Sequence, residues 1–428
     1  MTKTVSLPEI PGSGDELEDY VAALFQASGH FVEKQVVEAD PLDLLELDIV
    51  TTMYSKTKFA KRLVEVKGGK WGYGDLFKVV GWMEYLNIPV GAFFVKDWFD
   101  LGNSAERFQP LGLDVVQYGN FETAADQFEA EGFGQFADPE LVGLWRHSYN
   151  VERALVQCVF KGAKTGHEGA KSAKSYYKLV NNGTFFARTP EESLNLLYAA
   201  YKEHPKISLG YALELDGGTF DPHASGVQSD AYTRAMRGGE FPEVQACMYL
   251  EQRARLSILK SAVDYALLHP QGPPALKEGT FTWGDLDFHV LPQSFKSGLE
   301  WLMAQDNYAL YPTFWQQFLW GWGGFYLTDR EAEEFEWMSK YSGIPAAEIP
   351  IALEAFDHFF PWAGWFTSLG SAPIRWLKLT PFLFQGIGAH HRRSQYSTPE
   401  LSNLSLGDFG THLLGSRINT TVDFLLPD

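Results

Sequence analysis

The chain has 428 residues, enough for two or three domains, and its apolar content of 45% with 15% aromatic residues can fill complete cores, which excludes a disordered polypeptide. Two cysteines, Cys158 and Cys247, exclude a disulfide framework, and with no signal peptide opening the chain they point to a reducing cytoplasm. Acidic residues outnumber basic ones by 54 to 35, so a general basic footprint for nucleic acid is excluded and any phosphate contact has to be local.

Ser13-Gly14-Asp15-Glu16 has the form of a capping box, with Ser13 as N-cap and Glu16 three residues on, and Leu17, Val21, Leu24 and Phe25 follow at helical spacing. This predicts a first helix, ended by Gly29. Glu18 precedes Val21, Ala22 and Phe25 by three, four and seven residues, which puts it at the margin of the buried face, where it can look inward. Leu44 to Val50 reads as a buried strand that carries Asp48 among aliphatic residues; an unpaired charge there costs several kcal/mol, so Asp48 requires a cation. Arg62 to Lys67 reads as another strand, in which Glu65 and Lys67 share one face and Val64 and Val66 pack behind it. Taken alone, Glu-x-Lys describes an ordinary half-exposed strand with an ion pair; beside Glu18 and Asp48, the carboxylate and ammonium suit a metal-assisted attack on phosphate. Asp75 to Leu86 has helical spacing, Pro89 to Val95 is a buried strand, and Leu113 to Tyr118 adds one more.

In this order of elements, about the first 120 residues resemble the PD-(D/E)XK nuclease superfamily and, within it, the Mrr-type restriction endonuclease group. The matching positions are Gly14 to Glu18 opening the first helix, Asp48 as the first motif acid, and Glu65-Val66-Lys67 as the second motif; Leu47 stands where a Pro often precedes the acid. The resemblance implies an α/β domain over residues 1–120, a mixed sheet flanked by helices, acting as a metal-dependent endonuclease on the phosphodiester bonds of DNA. It implies a catalytic set of Glu18, Asp48, Glu65 and Lys67. Asp48, Glu65 and the carbonyl of Val66 would hold Mg2+ or Mn2+, with Glu18 completing the shell or holding a second ion. Lys67 would orient or help deprotonate the attacking water and neutralise charge on the phosphate. Lys70, Trp71 and Lys78 are candidate nucleic-acid contacts, with plain surface or packing roles as the alternative. By analogy with the family, such a protein is an effector of bacterial restriction or antiphage defence. An RNA-directed nuclease, or a non-catalytic binding or assembly subunit that keeps the nuclease scaffold, are the competing readings.

Residues 121–428 carry no motif of their own and read as mainly α-helical, with helices over 191–204, 244–269, 294–306, 329–341 and 346–359. The Pro/Gly segment near 270 is either a boundary between two halves or a surface loop. This region would recognise the target, sense a trigger or bind a protein partner, and a homo-oligomer is compatible with it. Phe314 to Trp322 and Phe359 to Leu369 are too short and interrupted to span a bilayer and read as cores or a partner-binding face. Lys161, Lys164, Lys171, Lys174 and Lys178, beside Tyr176 and Tyr177, form a second basic run, by default a solvated face. Gly162 to Ser172 does not fit the spacing of a nucleotide-binding P-loop. His390-His391-Arg392-Arg393 reads by default as an exposed loop, or one touching phosphate or an acidic partner.

Overall fold

The computed structural model describes residues 14–38, 45–96, 106–118, 123–136, 138, 140–183, 189–224, 229–238, 241–270, 282–283, 286–287, 293–360, 366–368 and 374–395. Two compact units part between Arg146 and His147. Residues 119–122, where the sequence suggests a boundary, lie outside the described residues, and the first unit runs on to Arg146. The Pro/Gly segment after His269 is also largely outside them.

The first unit contains α1 (Asp15–Ala27), β1 (Phe31–Glu38), β2 (Leu45–Ser55), β3 (Lys58–Lys67), α2 (Tyr73–Tyr85), β4 (Gly91–Val95), β5 (Leu113–Gln117) and α3 (Ala124–Ala130), and the division falls early in α4 (Leu141–Gly162). The five strands form one mixed sheet in the order β1-β2-β3-β4-β5: β1 to β3 is an antiparallel meander, and β4 and β5 join it in parallel. The parallel step from β3 to β4 needs a crossover, and α2 supplies it. Helix α1 packs on the sheet with Val21, Leu24 and Phe25 buried; Phe25 meets Phe94 edge to face, and Val50 and Val64 are among the buried strand residues. These alternating apolar positions set the register, since a slip by one residue would turn Glu65 outward.

Two local expectations are corrected. Ser13 lies outside the described residues, and the N-cap of α1 is Gly14, with no side-chain cap hydrogen bond; a φ of 59° suits Gly there. The strands at Asp48 and Glu65 are longer than the apolar runs suggest, because β2 and β3 continue as a hairpin through residues 51–62, a mostly polar segment, to a turn at Lys56-Thr57. The helix end before Gly29, at φ 89°, is as expected.

The second unit is mainly helical: α5 (Glu168–Gly183), α6 (Pro190–Glu203), α7 (Ile207–Leu215), α8 (Asp230–Gly238), α9 (Pro242–Leu268), a β6 (Thr282–Trp283) and β7 (Leu286–Asp287) pair, α10 (Gln293–Met303), α11 (Tyr311–Gln316), β8 (Phe325–Leu327), α12 (Glu331–Ser342), α13 (Ile349–Phe359), β9 (Phe366–Ser368), β10 (Ile374–Leu377) and α14 (Phe382–Gln395). A small antiparallel sheet, β8-β10-β9, was not legible in the sequence. Helix α9 is buried nearly from end to end, with α5, α6, α7, α10 and α11 packed around it. Its Gln245 accepts from the Phe382 amide and donates to the Ala235 carbonyl, Gln252 donates to the Lys378 carbonyl, and Glu251 accepts from the backbone and hydroxyl of Ser208. Phe314 to Trp322 belongs to the core, with Phe314, Trp315, Phe318 and Leu319 fully buried. No described helix is long and apolar enough to cross a membrane.

Two basic runs differ from expectation or gain an explanation. His391 and Arg392 are not in an exposed loop: α14 buries Arg392, whose guanidinium donates to both oxygens of buried Glu334 and to the carbonyls of Trp322, Phe325 and Gly388. His391 stacks on Trp337. In the lysine run, Tyr176 and Tyr177 turn into the core while Lys161, Lys164, Lys171 and Lys178 remain exposed, as a solvated helix face does.

Candidate functional site

The site begins where the β2–β3 ladder ends. The last paired residues are Ile49 and Val64; one step beyond, Asp48 and Glu65 come side by side, and Asp48 Oδ2 accepts the Val66 amide at 2.9 Å in place of a ladder bond. Val66 thus meets Asp48 through its backbone N–H. Alternation along β3 sends Val64 and Val66 into the core and aligns Glu65 with Lys67. Lys67 Nζ lies 2.5 Å from Glu65 Oε1, and Lys78, projecting from α2, brings its ammonium to 3.9 Å of the same oxygen. Glu65 is 2% exposed, and its Oε2 has no hydrogen-bond partner among the described residues.

The electrostatics show that the four sequence-predicted residues act on one another. Burial, then the charges of Glu65 and Glu18, push the Asp48 carboxyl up to about 8, against the pull of the Val66 amide and Lys67. Burial raises Glu18 from its ordinary value, opposed by Lys34 and reinforced by Asp15 and Asp19. Burial alone would depress Lys67, but its hydrogen bond to Glu65 and the charges of Glu65, Asp48 and Asp75 outweigh it, so the ammonium is held above its ordinary value. Glu18, Asp48, Glu65 and Lys67 are therefore gathered at one end of the sheet, from α1, β2 and β3.

Of the weaker candidates, Lys78 reaches the site, its ammonium also 4.0 Å from the Trp82 ring centre. Trp71 is 9% exposed and packs against Phe93, so it serves the core. Lys70 is exposed just past β3. Sequence reasoning missed Lys34 and Gln35. Lys34 forms a buried ion pair with Asp19, one residue after Glu18. Gln35 lies level with Asp48, between the pairs Lys34–Ile49 and Val36–Leu47, bonds the Glu18 side chain, and has a φ of 49°, costly for a residue with a side chain. A charge inside the run Phe31 to Val37 was the signal for Lys34; no pattern announces Gln35.

The donor set is all oxygen and anionic, the chemistry of Mg2+ or Mn2+ rather than zinc. The orphaned Glu65 Oε2 and the neighbouring Asp48 carboxyl are oxygens that such a cation could take. As they stand, no three or more His, Cys, Asp or Glu side chains among the described residues are grouped to hold a metal ion, and Lys67 occupies the other oxygen of Glu65. No known protein family, curated protein or solved structure matches the chain.

Proposed function

We propose that the chain is a metal-dependent endonuclease hydrolysing phosphodiester bonds, with DNA as substrate, and an effector of bacterial restriction or antiphage defence. The observation that carries the reading is the buried carboxylate of Glu65, orphaned at Oε2, set against Asp48 and Glu18 with Lys67 in contact. Its order of elements and the Asp48 and Glu65-Val66-Lys67 positions are those by which the chain resembles PD-(D/E)XK nucleases. Asp48, Glu65 and Glu18 would hold Mg2+ or Mn2+, which when bound supplies positive charge at the phosphate and a water acidic enough to attack at neutral pH. Lys67, in contact with Glu65, would donate to phosphate oxygens and orient or help deprotonate the attacking water. Lys78, half-exposed beside Glu65, can take a neighbouring phosphate. Gln35 orients Glu18, and the Val66 amide orients Asp48.

The test is plasmid nicking by the full chain in Mg2+, Mn2+ or EDTA, with Glu65→Ala as control. Metal-dependent nicking that the substitution abolishes supports the reading; none with either metal, on DNA or RNA, overturns it. A second reading, a binding or assembly subunit that retains the scaffold, is favoured by the Lys67–Glu65 ion pair, which gives the buried Glu65 a cationic partner with no metal at all.

A further inference from the structure

The hairpin of α4 and α5 reverses the charge balance of the chain. Acidic residues outnumber basic ones overall, yet residues 157–179 hold five lysines against one glutamate. Helix α12, in the same unit, has four glutamates and one lysine.

The two arms present these lysines beside one another. The chain reverses at Gly166, whose φ is 92°, and Phe160 of α4 meets Tyr177 of α5 edge to face at 5.3 Å, with the Lys174 ammonium 5.6 Å from the Phe160 ring centre. Offsets of three and four put Lys171, Lys174 and Lys178 on one stripe of α5, about 10 Å long at 1.5 Å per residue. Gln157, Phe160, Lys161 and Lys164 form the exposed stripe of α4 and the turn that follows it.

Little inside the chain balances this charge. Ammonium groups three and four residues apart on a helix repel one another. The ion pair of Lys171 with Glu168 is exposed on both sides and contributes little. Glu214 engages both carboxylate oxygens with the Glu168 and Gly169 amides that open α5. Among the described residues, Lys161, Lys164 and Lys178 have no carboxylate partner. The cluster therefore destabilises the fold slightly, and an external polyanion would relieve it.

We infer that this face binds the phosphate backbone of duplex DNA. Its lysines are separate point charges spread along two helices, an arrangement that matches a polymer of phosphates better than a single anion. Such contacts hold the backbone without reading bases. An anionic membrane surface fits less well: the apolar side of α5, with Ala170, Ala173, Tyr176 and Val180, is buried in the unit's own core, and Phe160 and Leu179 are the hairpin's exposed large apolar side chains among the described residues. A chain of formal charge −19 repels DNA except at a local basic surface of this kind. The choice of DNA among phosphate polymers rests on the proposed nuclease function; the basic surface itself does not.

The test is fluorescence anisotropy of a labelled duplex of about 20 base pairs with the full chain in EDTA, which stops metal-dependent cleavage, from about 50 to about 200 mM salt. Lys161→Ala combined with Lys178→Ala should lower the slope of log affinity against log salt by about two, and weaken binding at about 100 mM salt by about tenfold or more. Arg330→Ala combined with Lys340→Ala removes the same net charge around α12 and should leave the slope unchanged. Lys161→Arg combined with Lys178→Arg should bind like the wild type, which separates lost charge from a disturbed fold. The inference is overturned by a duplex that does not bind, by a slope that the first alanine pair leaves unchanged or the second lowers as much, or by preference for duplex RNA or phosphatidylserine vesicles. Nicking is a separate readout. Binding through these lysines without nicking supports the surface and removes the nuclease reading, whereas nicking with an unaltered slope in the first alanine pair does the reverse.

Discussion

Lys67 closes on Glu65 at 2.5 Å from the same face of β3, and the contact divides the carboxylate into a neutralised oxygen and an orphaned one. The two residues are one strand position out of phase with Val66, so the strand's alternation is enough to align them. What the strand cannot provide is Asp48, which arrives from β2 only because the ladder stops at Ile49–Val64. The site therefore depends on a sheet that ends unevenly.

Asp48→Asn should remove cleavage and raise stability. With its carboxyl at about 8, folded Asp48 retains a proton that the unfolded chain releases near its ordinary value of 3.8, so the wild type loses stability as pH rises between roughly 4 and 8. In EDTA, the thermal midpoint of the variant should exceed the wild type by a margin that widens across that window. A margin that is constant, or that shrinks with pH, would refute the electrostatic assignment.

Lys67→Ala should act on the chemical step. Single-turnover cleavage should fall about 100-fold or more, while the salt dependence of binding changes by about one phosphate contact. Lost affinity with an unchanged single-turnover rate would assign Lys67 to binding alone.

Arg392→Ala should be the most damaging single change in the second unit. It strips Glu334, which is 0% exposed, of the guanidinium that donates to both its oxygens, and it frees the carbonyls of Trp322 and Phe325. Breaking such a pair costs about 3–5 kcal/mol, to be read as a lower urea midpoint for the unit's unfolding. Replacing Arg392 and Glu334 together by apolar residues should cost much less than Arg392→Ala.

Two glycine-to-alanine changes in helices should move stability in opposite directions. Gly81→Ala adds a methyl group in open space and should stabilise by up to about 1 kcal/mol. Gly388→Ala puts a Cβ 2.1 Å from the Trp322 carbonyl oxygen, and the forced shift should destabilise by about 1–3 kcal/mol despite the better helix former. Thermal melts of the two variants check the signs.

Much of the first unit was legible because its elements are amphipathic: period two in Leu63 to Lys67, helical period in Leu17 to Phe25 and in Leu76 to Met83. The extension of the β2–β3 hairpin was hidden because residues 51–62 are held by pairing with each other, with little apolar alternation to announce it. Arg392 was misread for a related reason. Its neighbours are charged or polar in sequence, and only the fold reveals that Glu334, 58 residues away, turns that arginine inward. The grouping of Glu18, Asp48 and Glu65 was legible as residue types in order, but the supports, Gln35 and the Lys34–Asp19 pair, depend on strand register and had no sequence signature.

Helix α9 raises a different matter. A helix with one oily stripe is held at a single rotational angle by that stripe, but one surrounded on every side could turn about its axis at little apolar cost. Its angle is fixed instead by Gln245, Glu251 and Gln252, whose amides and carboxylate fit only the groups they now meet. These three residues work as detents: deleting one need not melt the helix, yet it should broaden the set of angles at which it rests. The second unit would then lose uniqueness of packing before it loses compactness, visible as dispersed methyl signals collapsing while far-UV ellipticity holds.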